Sequence, residues 1–240
     1  MQCRFVHHRL CNALGALFAI FIAAVLCACQ GNDLARGDEA LRIGDYDRAV
    51  ANFSKVLDAE PANRDARYGL AIAYYAIAED RERLKESTLE FWERAVREFK
   101  ILSVVDSSEK SKPMYSTSLF YLARAMLAEN AQAKVIPLLD QSIQLDPENY
   151  FSYNLKALIL AGLGDVDGAK TIYAYIVTKE PKFASAYVNL GNLYWNAHDY
   201  ESAWDIWSMG REALPQDAVL AKWTRIAEDS LKAMVYSGKL

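Results

Sequence analysis

Pro147, Pro181 and Pro215 stand 34 residues apart, one after another. The residues leading to each proline follow one order: a large apolar side chain, a small residue, a turn, a second small residue, another large apolar side chain, then the proline. A fixed period in this range means supersecondary units that cannot bury their apolar faces alone and must stack on their neighbours. That requirement excludes sandwiches, barrels and doubly wound sheets. It also bears on function, because such arrays present extended binding surfaces.

The clearest copy runs from Ala186 to Pro215 and carries Tyr187, Leu190, Gly191, Tyr194, Ala203, Trp207 and Pro215. The copy before it carries Tyr153, Ala157, Leu160, Gly164, Ala169, Tyr173 and Pro181, with Lys156 where a Leu fits the pattern better. An earlier copy has Leu119, Leu122, Ala123, Met126, Val135, Leu139 and Pro147, and the first has Gly37, Ala40, Gly44, Asp45, Tyr46, Ala49, Phe53 and Pro61. These residues resemble the tetratricopeptide repeat, a 34-residue helix–turn–helix unit. The resemblance implies an all-α fold, a right-handed superhelical stack of about five helical hairpins. A C-terminal helix over 217–236 closes it, with Leu220, Trp223, Ile226, Ala227 and Leu231 at helical spacing.

The chemistry behind the pattern is steric and local. Gly191, Ala157, Ala123 and Gly37 fall where the two helices of a unit cross, and a larger side chain there holds them apart. Asp45, Asp165 and Asp199 precede second helices, where a carboxylate accepts orphan backbone N–H groups. The second unit is irregular, since Pro61 and Pro147 are 86 residues apart, 18 more than two repeats need. Most of the excess falls in 79–90, which lacks Gly and Pro and reads as helix extension. The rest, Asp106–Pro113, reads as a loop.

The first thirty residues differ in kind. Arg4, His7, His8 and Arg9 precede an apolar run from Ala13 to Leu26, too short for the roughly 20 residues that span a bilayer as a helix. Small residues follow, as in an export signal. Leu26-Cys27-Ala28-Cys29 resembles the bacterial lipoprotein box, which implies a signal peptide over 1–28, acylation at Cys29, a short tether over 29–33 and a repeat domain over 34–240. Gln30 after the cysteine favours the outer over the inner membrane. All four cysteines lie within the first 29 residues, so no disulfide is expected in the mature chain. The expected location is the periplasmic side of a bacterial membrane, with contact through acyl chains on Cys29.

Composition removes several function classes. The formal charge of −4 becomes −6 without Arg4 and Arg9, and no basic stripe appears, so nucleic acid is not an expected partner. His198 is the one histidine after the leader and occupies a turn. Neither a His pair nor a Cys pair offers metal-ligand spacing, and Gly162 and Gly164 do not form a phosphate loop. The expectation is a chain without catalytic residues, metal or cofactor.

The resemblance implies a concave surface lined by the first helices. Mapped on this sequence it comprises Tyr68, Ile72 and Tyr75, then Phe120, Arg124 and Leu127, then Phe151, Asn154 and Leu158, then Asn189, Asn192, Trp195 and Asn196. Lys222 and Arg225 on the last helix are placed to hold an acidic group. Aromatics offer apolar anchoring and Asn amides pair with a peptide backbone. The implied function is a lipid-anchored adaptor that holds another envelope protein, by a peptide segment or helix in this groove, during assembly or tethering of an envelope complex. The alternative is a lipoprotein that binds a small apolar ligand, beside a transporter.

Overall fold

A computed structural model of the chain describes residues 33–105, 109–128 and 132–236; the leader, Cys29 and most of the tether lie outside the described residues. Eleven α-helices and one short 3₁₀ turn make up the described residues, with no strand among them. No described helix is long and apolar enough to cross a membrane. The residues fall into two compact units, one ending at Ser111 and the other starting at Lys112.

Within the first unit, α1 (33–43), α2 (Tyr46–Ala59), α3 (Arg64–Arg83) and α4 (Leu89–Val105) pack in sequence order. Phe53 explains why glycine is needed at two first-helix positions. Its ring is fully buried, and a Cβ added at Gly37 or at Gly69 would lie 2.6 or 2.4 Å from it. The ring is therefore clasped by the backbones of α1 and α3. Arg67 joins α3 to α4, with its guanidinium 2.7 Å from Glu98 and 2.6 Å from the Pro61 carbonyl oxygen.

The extension expected over 79–90 is helical only as far as Arg83. There α3 stops in a hydrogen-bonded reversal, with the Glu86 N–H on the Arg81 carbonyl and the Lys85 N–H on the Glu82 carbonyl. This double bond closes a helix through one left-handed residue, and Lys85 takes that conformation at φ 59°. The same closure ends α1 at Gly44, α7 at Gly164 and α9 at His198. The second expected loop, Asp106–Pro113, is also corrected in part. Residues 109–111 form the 3₁₀ turn, and Lys112 and Pro113 start α5, because a proline in the first helical turn gives up no hydrogen bond.

The second unit contains α5 (Lys112–Ala128), α6 (Gln132–Leu145), α7 (Tyr150–Gly162), α8 (Val166–Lys179), α9 (Ala184–Asn196), α10 (Tyr200–Ala213) and α11 (Ala218–Tyr236). Asp165 and Asp199 accept the N–H of Gly168 and Ser202, as Asp45 accepts that of Arg48 in the first unit. Each helix packs on the next, and α5 touches α7, α7 touches α9, and α9 touches α11. The first helices of successive hairpins therefore stand side by side and make one continuous face. At the hairpin crossing of α9 and α10, a Cβ on Gly191 would fall 2.2 Å from the Trp207 indole nitrogen, which donates to the Val188 carbonyl oxygen at 3.3 Å.

Between α5, α6 and α7 the core is polar. Ser116, Ser142 and Ser152 are fully buried, and the Ser142 Oγ lies 2.8 Å from Ser116 Oγ and 2.7 Å from Ser152 Oγ. Asn149 donates to Ser116 Oγ at 2.9 Å and caps α7 through the Ser152 N–H. A buried network with every member paired fixes one arrangement of the helices that share it.

Candidate binding surface

The first-helix face of the second unit begins with aromatic rings in line. Phe120 of α5 lies 6.0 Å from Phe151 of α7, which lies 5.3 Å from Phe183 at the start of α9. Phe151 is nevertheless 61% exposed, and Leu158, two turns along the same helix, is 52% exposed. Both are apolar side chains left open where a core has no use for them. Arg124 is exposed, with its guanidinium 4.7 Å from the Tyr121 ring and 5.8 Å from that of Phe120; partial burial lowers its pKa.

Beside the rings the face turns polar. Asn189 Nδ2 donates to Asn154 Oδ1 at 3.0 Å, which bridges α7 and α9. The two amides line a cleft of about 310 Å³ with Ala184, Ser185, Val188, Asp217 and Val219. Asp217 caps α11, its Oδ1 accepting from Val219 N and Leu220 N at 2.9 Å each. Tyr173 is buried next to Asn189. Burial pushes its pKa up to about 12, against the opposing pull of the Asn189 amide, and its hydroxyl makes no well-formed hydrogen bond among the described residues.

The sequence-derived residues divide. Phe120, Arg124, Phe151, Asn154, Leu158 and Asn189 come together on this face, and Asn192, Leu127 and the exposed Asn196 lie on the same helices. Trp195 is half-buried instead: its ring packs edge-on against Tyr200 at 4.7 Å and meets Trp207 at 5.7 Å. Lys222 is exposed one repeat beyond Val188, with its ammonium 5.8 Å from the Trp223 ring. Arg225 is also exposed, but stands one repeat beyond Gly191, whose position faces the following helix, so it belongs to the flank. In the first unit Tyr68 packs edge-on against Phe99 at 6.4 Å and Tyr75 against Trp92 at 5.1 Å, with Ile72 half-buried between them in sequence. Those tyrosines hold α4 to α3.

Phe183 and Asp217 were not legible as part of the surface. Both lie in the turns after repeat prolines, at positions read for capping alone. Phe183 makes no side-chain cap bond, which frees its ring for the aromatic line. Lys156, the departure from the repeat pattern, reaches Asp140 of α6 at 2.5 Å. His198 is exposed with Nδ1 2.8 Å from the Tyr200 hydroxyl, in the left-handed turn position described above. Among the described residues no His, Cys, Asp and Glu cluster is arranged for a metal ion.

Residues 34–79 and 154–218 match the sequence profile of the tetratricopeptide repeat family. These segments are tetratricopeptide repeats. Solved structures agree on the tetratricopeptide fold. The crystal structure of MamA protein is 21% identical with a TM-score of 0.56, covering 79% of this chain and 93% of that one. YrrB, described as a TPR protein with an unusual peptide-binding site, is 18% identical with a TM-score of 0.54, covering 80% and 90%. MamA 41-end from Desulfovibrio magneticus RS-1 is 15% identical with a TM-score of 0.53, covering 79% and 97%. No curated protein matches the chain significantly.

Proposed function

We propose that the tetratricopeptide repeats of the second unit bind an extended segment of another protein along the face made by α5, α7, α9 and α11. The observation that carries this reading is the Asn154–Asn189 bridge set beside the exposed Phe151 ring. A main chain offers alternating N–H and C=O groups, and the bridged amides retain both a donor and an acceptor for it. An apolar side chain laid on Phe151 and Phe183 adds about 1.5–3 kcal/mol on full burial. The description of YrrB as having a peptide-binding site supports the same class of partner for this fold.

In this reading the chain is a non-enzymatic scaffold. The leader sequence supplies the rest: cleavage after Ala28, acyl chains on Cys29 and a tether of a few residues hold the repeats near a bacterial membrane, outer rather than inner. The partner is then a second envelope protein, and the outcome is assembly or tethering of an envelope complex.

Selection of random linear peptides on the intact chain tests the binding claim. Selected peptides share an apolar side chain, lose affinity at least tenfold for Phe151→Asp, and keep it for Thr171→Asp on exposed α8. Peptides that ignore Phe151→Asp refute it. Fractionation of cells expressing Cys29→Ser tests the anchor: the variant becomes soluble, and firm retention in membranes refutes acylation.

A further inference from the structure

The last helix overhangs its neighbour. α11 has 19 residues against 13 in α9, and its final turns project past the start of α10. Leu231, Val235 and Tyr236 of this overhang, with Trp204 of α10, enclose a cleft of about 370 Å³ rimmed by Glu228 and Lys232. Val235 is 64% and Tyr236 90% exposed, so the wall is apolar and open. The volume lies at the lower end of small-molecule sites, about 300–1,000 Å³.

A second observation gives the cleft a polarity. Trp204 Nε1 is buried and has no hydrogen-bond partner among the described residues, and the same holds for Ser208 Oγ one turn along α10. Buried donors are ordinarily paired, and each unpaired one needs a cause. At the rim, Glu228 and Lys232 satisfy each other at 2.7 Å. An anionic head group meets the Glu228 carboxylate and a cationic one meets the Lys232 ammonium, so neither is favoured.

We propose that this cleft binds a small neutral apolar molecule that carries one carbonyl-type acceptor for the Trp204 N–H. The ligand's hydrocarbon lies on Leu231 and Val235. This site is separate from the peptide-binding face and does not depend on it.

The test uses the full chain labelled with ¹⁵N, whose five tryptophans give separate indole N–H signals. Trp204→Phe identifies the one from Trp204. Titration with 2-nonanone shifts that signal downfield and saturates, whereas nonane does not shift it downfield and nonanoate binds about tenfold more weakly than the ketone. Trp204→Phe raises the Kd for 2-nonanone about five- to tenfold. Leu231→Glu abolishes binding; Val235→Glu, at a more exposed position, does the same should the first variant lose its helical circular dichroism. An unmoved Trp204 signal, or equal affinity for ketone and carboxylate, overturns the proposal. So does a sedimentation result in which the chain is a dimer that Val235→Glu splits, since a second copy then occupies the cleft.

Discussion

Asn189 and Asn154 stand at different places in successive repeats, yet their side-chain amides meet at 3.0 Å and bridge α7 to α9. One amide hydrogen and one oxygen are used in that bond, and the remainder face the cleft. Asn189→Ala is expected to weaken binding of a groove peptide at least fivefold while changing unfolding free energy by about 1 kcal/mol or less. Isothermal titration beside urea denaturation separates the two effects. A large loss of stability with unchanged affinity makes the bridge structural only.

Glycine has opposite meanings at two points of the second unit. Gly191→Ala places a methyl 2.2 Å from the Trp207 indole nitrogen, so Trp207 must move and its stacking on Trp223, at 5.3 Å, is disturbed. A loss of about 1–3 kcal/mol is expected, with altered near-ultraviolet circular dichroism. Gly162→Ala meets nothing within 4 Å, and stability rises by about 0.5–1 kcal/mol. Thermal melts of the two variants check the contrast.

Lys85 and His198 occupy left-handed positions that Gly44 and Gly164 fill elsewhere. Lys85→Gly removes the steric cost at its turn and raises unfolding free energy by about 1 kcal/mol. His198→Gly gains less, because it also gives up the contact with the Tyr200 hydroxyl. Denaturant titrations of the two variants measure the difference.

Tyr173 links stability to alkaline pH. Its pKa is pushed up to about 12 from the usual 10, first by burial. The neutral form is favoured in the folded chain, so the contribution is complete below pH ~10 and declines as pH rises from there through ~12. Tyr173→Phe retains stability at neutral pH and loses up to about 2 kcal/mol less than the parent between pH 9 and 11.5. Urea unfolding at these pH values reads the effect; identical pH profiles contradict it.

Ser142 holds the buried network between α5, α6 and α7. Ser142→Ala deprives Ser116, Ser152 and Asn149 of a shared partner, and about 1–3 kcal/mol of stability is lost. Ser142→Thr keeps the hydroxyl but adds a methyl to a fully buried site. Both variants are measured by calorimetry.

Repeat spacing made the hairpins and the closing helix legible, because the same steric demand recurs at Gly37 and Gly191 and the same capping demand at Asp45, Asp165 and Asp199. The irregular second hairpin was less so. Its stop depends on Lys85 adopting a backbone that sequence ordinarily signals with glycine. The serine network was invisible because isolated serines carry no period. The surface was half readable: helical phase placed Phe151, Asn154 and Asn189 together, but not whether Trp195, in the same phase, packs inward. That depends on the large rings of Tyr200 and Trp207 nearby. Phe183 escaped notice because a phenylalanine at a helix start resembles a failed cap.

The most direct measurement of the central claim is photo-crosslinking in cells from a reactive side chain at position 151, at position 192, and at exposed position 171 on α8. Positions 151 and 192 are expected to join the same linear segment of one partner protein, identified by mass spectrometry of the adduct, with no adduct from 171. Adducts from 171 alone, or from none of the three, contradict a partner held on the first-helix face.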